Sequence, residues 1–130
     1  MSEHNQLKPM SQMALHNPAH PFTEHELQST GHDLAYSITH APNPQLHLKT
    51  KYAATMIGIY VNNQNGRLTF TFAFRHKGKM LQVNVEHNCG PDLFNLIIYA
   101  IEEKGYYEYF RGDGLYTDMV LGSFNRALAM

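Results

Sequence analysis

Two residues of this 130-residue chain have the types and spacing for nucleophilic chemistry, His87 and Cys89. Cys89 stands just before Gly90-Pro91-Asp92, a sequence that suits a helix start. A helix N-terminus there would favour the thiolate, and His87 sits two residues back as a conceivable base. Against this pairing, residues two apart on a strand lie about 7 Å apart, beyond a direct hydrogen bond. No third group or oxyanion-hole glycine motif accompanies them, and a lone cysteine commonly packs as a small apolar side chain. A Cys89/His87 enzyme is therefore kept as an alternative.

Nine histidines are many for this length, and seven lie in the first 47 residues. His16, His20 and His25 have spacings of four and five, but Pro18 and Pro21 among them oppose the rigid helix a metal site would need. We read them as solvated and expect no metal and no cofactor. Glu102, Glu103, Glu108, Asp113 and Asp118 cluster in sequence, yet their spacing matches no calcium loop. No phosphate-binding glycine loop, dinucleotide fingerprint or zinc-protease motif occurs.

The aromatic residues allow two kinds of contact surface. Phe70, Phe72 and Phe74, with Arg67, Arg75, Lys77 and Lys79 nearby, could stack the bases of single-stranded nucleic acid. The same phenylalanines serve equally as the core beneath a helix, and that assignment is preferred. Tyr106, Tyr107, Tyr109 and Tyr116 exceed what one face can bury. With Arg111 and Asp113 they form the expected protein-binding surface, since tyrosine is enriched where proteins bind proteins.

Composition narrows the classes. Ten basic residues against eleven acidic give a formal charge of −1, without the basic surplus that phosphate-driven binding needs, so a nucleic-acid partner is disfavoured. No apolar run is long enough to span a bilayer, and no membrane partner is expected. The opening residues lack the apolar centre of a secretory signal, and a single cysteine excludes an internal disulfide. Both point to a cytoplasmic protein.

The elements that would position these residues are built around 53–87. Leu68, Phe70, Phe72 and Phe74 alternate with Thr69, Thr71 and Ala73, which is the pattern of a strand with one buried face. Asn65-Gly66 and His76-Lys77-Gly78-Lys79 read as hairpin turns, so 53–87 is expected to be a three-stranded antiparallel meander with Gln82, Asn84 and Glu86 pointing outward. Phe94, Ile97, Ile98 and Ile101 are spaced as a helical stripe, predicting a helix from Asp92 to Lys104 that ends at Gly105. A turn at Gly112 and Gly114 would lead to a final helix over 115–129.

Residues 1–45 form a contrasting segment, with five of the six prolines at or before Pro44. So few apolar residues cannot offset the entropy of ordering, which predicts an irregular arm. Thr23 could cap a short helix, and the alternating Leu34, Tyr36 and Ile38 could form an edge strand. The expected protein is α+β: a 46–130 domain of three strands and two C-terminal helices, preceded by a 1–45 arm. Its expected role is non-catalytic, acting through a protein partner or self-association as an inhibitor, immunity-type protein, adaptor or assembly subunit.

Overall fold

Five antiparallel strands in sequential order, β1-β2-β3-β4-β5, form the centre of the computed structural model, which describes residues 7–9, 30–61, 66–88 and 91–130. The strands are β1 (Thr55–Val61), β2 (Leu68–His76), β3 (Lys79–Asn88), β4 (Leu93–Glu102) and β5 (Gly105–Leu115). Helices α1 (Thr30–Thr39) and α2 (Pro44–Tyr52) precede the sheet. A 3₁₀ turn (Thr117–Met119) and helix α3 (Val120–Leu128) follow it. The fold is α+β, as the sequence implies, but the sheet has five strands rather than three.

The expected meander is present. Phe70, Phe72 and Phe74 face Val85, Val83 and Leu81 across the β2–β3 ladder. Lys77 and Gly78 both take positive φ, as the tight primed turn requires, and so does Gly66. The predicted helix over Asp92–Lys104 is strand β4 instead. Its run Leu93-Phe94-Asn95-Leu96-Ile97-Ile98 is apolar on both parities, which fits a helix stripe or a strand covered on both sides. Pairing to β3 on one edge and β5 on the other decides for the strand, and both faces of its centre are buried.

The aromatic run Tyr106–Phe110 accordingly belongs to β5. The glycines expected to break the chain at 112–114 produce a bulge rather than a turn. Phe94 pairs with Leu115 and Leu96 with Gly112, leaving one extra residue on β5, and Gly114 takes φ +65 there. The last helix therefore starts at Val120 and not near Leu115. Val120, Ser123, Phe124 and Ala127 are its buried positions, whereas Met119, just before it, is exposed.

The largest departures lie before the sheet. Leu34–Ile38, expected to pair as an edge strand, is helical: Leu34, Ala35 and Ile38 share the i, i+1, i+4 face and are buried in the core. Polar Ser37 and Thr39 are buried as well. They donate to the carbonyls of Leu34 (2.6 Å) and Ala35 (2.9 Å), which satisfies them locally. Helix α2 spans Pro44–Tyr52, immediately before the sheet. Asn43 accepts from Leu46 N–H, Pro44 takes the first turn, and the carbonyls of Leu48 and Lys49 accept from Ala54 and Ala53 at the other end. The boundary expected at 45/46 thus falls inside a helix, and α1 of the expected arm supplies core.

The core lies between the helices and one sheet face. Phe70, Phe72, Phe74, Leu81, Val83, Val85, Leu96 and Ile98 meet Leu34, Ile38, Leu48 and Phe124. The opposite face is polar but also inaccessible. Gln82 and Asn84, expected to point into solvent, are only 4% and 2% exposed. Thr71 Oγ donates to Asn84 Oδ1 (2.8 Å), and Asn84 Nδ2 donates to Tyr60 O–H (3.2 Å). Among the described residues no buried side-chain nitrogen or oxygen lacks a partner. The possible Thr23 helix, the histidines at 16, 20 and 25, and Cys89 lie outside the described residues.

Candidate functional site

The end of the sheet beneath α1 brings together titratable and aromatic side chains from four elements. His87 sits near the end of β3 and pairs with Phe94 across the β3–β4 ladder, with ring centroids 5.1 Å apart. Asp92 occupies the β3–β4 turn with φ +55, which swings its carboxylate back toward the strand it follows. Its Oδ1 accepts a 2.7 Å hydrogen bond from His87 Nε2. Asp33 and Tyr36 approach from α1, and Thr117 from the 3₁₀ turn. These six residues line a cavity of about 200 Å³.

A larger groove of about 600 Å³ runs past His32, Pro42, Asn43, Pro44, Gln45, Leu46 and Lys49. It is wider but chemically plainer, with no paired titratable groups at its walls. We take the smaller cavity as the candidate site because a hydrogen-bonded His87–Asp92 pair and a second carboxylate, Asp33, converge on it.

Three large apolar side chains on the elements that line the cavity, or next to them in sequence, are exposed among polar neighbours. Tyr36 is 42% exposed and stacks between His32 and His40, with centroids 6.1 and 5.4 Å away. Tyr116, immediately before Thr117, is 66% exposed, and Met119 is 44% exposed. Phe124, Phe72 and Phe74 are fully inside by contrast.

The residues expected to form the binding surface separate. Tyr106 is buried, with its ring edge-on to Tyr99 at 5.2 Å, and its backbone pairs with Lys8. Burial raises the phenol pKa of both Tyr99 and Tyr106. Tyr107 and Tyr109 pack against the core. Arg111 and Asp113 stay accessible, but Arg111 is engaged with Glu108 (2.7 Å) and Asp113 (3.3 Å). Partial burial opposes its charge most strongly of any one cause, but the Glu108 hydrogen bond and the charges of Glu108 and Asp113 together outweigh it and raise the guanidinium pKa. Tyr116 alone of the four tyrosines presents an open aromatic surface.

Asp33, Tyr36, Asp92 and Thr117 were missed by sequence reasoning. For Asp92 a signal exists, a carboxylate five residues beyond His87, but its Gly90-Pro91-Asp92 setting reads as a helix start. The phenylalanines of the proposed base-stacking platform are buried, which removes that surface. Among the described residues no group of three histidines, cysteines or carboxylates is placed to hold a metal. No described helix is long and apolar enough to cross a membrane. Compared with protein-family models, curated proteins and solved structures, the chain matches none.

Proposed function

We propose that this chain is a non-catalytic, cytoplasmic protein-binding module whose contact surface is the apolar rim formed by Tyr36, Tyr116 and Met119. The observation that supports it is the exposure of Tyr36, which lines the cavity, and of Tyr116 and Met119, which flank its Thr117 in sequence, while the other phenylalanines and tyrosines among the described residues are buried or half-buried. Tyrosine and methionine are enriched in interface cores because they bury much area for few rotatable bonds or adapt to irregular partners. The surface expected around Tyr106 shifts accordingly toward Tyr116 and α1.

The test compares wild-type protein with a Tyr36→Ala/Tyr116→Ala variant as bait in native lysate, together with light scattering of each alone. Both sites are exposed, so the melting temperature should hardly move. The expected result is a partner, or self-association, that the wild type shows and the variant loses. Equal capture and equal mass for both proteins would overturn the surface.

A second reading draws on the His87–Asp92 hydrogen bond. It supplies the orienting third group that the Cys89/His87 enzyme lacked in sequence. Iodoacetamide alkylation of Cys89 as a function of pH tests it. Rapid reaction below pH 7 that Asp92→Asn slows would favour this reading over the binding module, and reaction at the rate of a free thiol would reject it.

A further inference from the structure

We propose that the start of β5 is a docking site for an extended segment of a partner protein, filled in this structure by the chain's own residues 7–9 as a displaceable strap. β5 is the last strand in the sheet order, so its outer edge carries backbone donors and acceptors that β4 does not use. At Tyr106 that edge is occupied. Tyr106 N–H donates to the Lys8 carbonyl and Lys8 N–H to the Tyr106 carbonyl, both at 2.9 Å, an antiparallel pair between segments from opposite ends of the chain. The fit is built into β5. A Cβ on residue 105 would run into the Lys8 carbonyl oxygen, so the close approach of the two backbones requires Gly105. Leu7 lies against the same glycine, its Cβ 3.5 Å from where a side chain there would begin. It is half-buried, while Lys8 and Pro9 are exposed.

These contacts define the chemistry of the occupant. Main-chain pairing demands an extended segment with a free N–H at the residue opposite Tyr106, and the exposure of Lys8 leaves the side chain there unrestricted. The residue before it is apolar, as Leu7 is, to cover Gly105. The strap meets both demands with a light hold. One residue pair and one half-buried leucine anchor it, and Pro9 has no N–H with which to add a bond. Its advantage is the tether, which keeps it at high local concentration. A partner segment therefore competes with the strap, and the strap lowers the affinity that the bare edge would show.

The experiment is an NMR titration of the full chain with a synthetic peptide of residues 5–10, acetylated and amidated, as the probe. Lys8→Pro in the full chain removes the donor to Tyr106 and frees the edge. Lys8 is exposed, so this variant keeps its fold, and a melt run beside the titration verifies it. In the variant the peptide should shift the amides of Gly105 and Tyr106 saturably. The wild type, whose strap competes, should need about tenfold more peptide for the same response. A peptide that itself carries Lys8→Pro should shift neither amide. No shift in the variant, an equal response from the wild type, or equal shifts from the proline peptide overturns the inference. Hydrogen exchange of the wild type adds a measurement that needs no substitution. The Lys8 and Tyr106 amides should exchange much faster than those of β3, because the strap opens without unfolding the sheet. Exchange as slow as in β3 would show a strap too firmly held for a partner to displace.

Discussion

Phe124 of α3 stands edge-on to Phe72 of β2, with ring centroids 6.0 Å apart and planes at 77°. The same ring meets Phe74 at 6.0 Å and Tyr52 at 5.8 Å, so one side chain ties the last helix to the middle of the sheet and to the end of α2. Such edge-to-face pairs add to the energy of area burial because ring edges are positive and faces negative.

Phe72→Ala should accordingly lower stability by about 3–5 kcal/mol, and Phe124→Ala by a similar amount. Urea unfolding of both single variants and the double variant measures the coupling, expected at about 0.5–1.5 kcal/mol. Strict additivity would show that the rings merely fill space independently.

Helix α1 is part of the core, so Leu34→Ala and Ile38→Ala should each cost about 2–5 kcal/mol. A chain beginning at residue 46 should lose the sharp thermal transition of the full protein, because it lacks Leu34, Ala35 and Ile38. A truncated protein that melts cooperatively near the wild-type temperature would contradict this packing.

Tyr60 gives the fold a limit in alkali. Its phenol pKa is pushed far above the ordinary 10.0, first by burial and then by the Glu86 carboxylate and Tyr99. Above pH 10 the unfolded chain releases a proton that folded Tyr60 retains, so raising the pH favours unfolding. Stability should be unaffected by this group below pH 10 and decline above it. Thermal melts across that range, read beside phenolate absorbance, test the sign. Tyr60→Phe should lessen the alkaline decline, the part from Tyr99 and Tyr106 remaining, yet cost about 1–3 kcal/mol at neutral pH, since Asn84 Nδ2 loses its buried acceptor.

Ala53 closes helix α2 with φ +53, a left-handed conformation that its Cβ disfavours. The residue is exposed, so removing its methyl opens no buried cavity. Ala53→Gly should raise stability by up to about 1 kcal/mol, the relief of strain being partly offset by the greater freedom of glycine when unfolded. A lower denaturation midpoint would show that the cap relaxes in solution.

Much of the β1–β3 meander was legible because its determinants are local. The alternation Leu68, Phe70, Phe72, Phe74 and the Lys77-Gly78 turn specify strands and register within a few residues. The cavity was illegible for the opposite reason. Asp33 and Tyr36, His87 and Asp92, and Thr117 come from three distant parts of the chain, and no spacing rule links them.

What the sequence by itself determined was therefore the α+β class, the buried phenylalanine face and the antiparallel hairpins, all consequences of side-chain alternation and turn chemistry. Tertiary structure alone decided that Leu93–Glu102 is a strand and Thr30–Thr39 a helix. In the first, an apolar run suits either state until β3 and β5 offer hydrogen-bonding partners on both edges. In the second, five residues from Leu34 to Ile38 fit either period. The sheet face left open by the chain's other elements selects the helix, because its Leu34–Ala35–Ile38 side buries apolar surface there while its own backbone bonds stay satisfied.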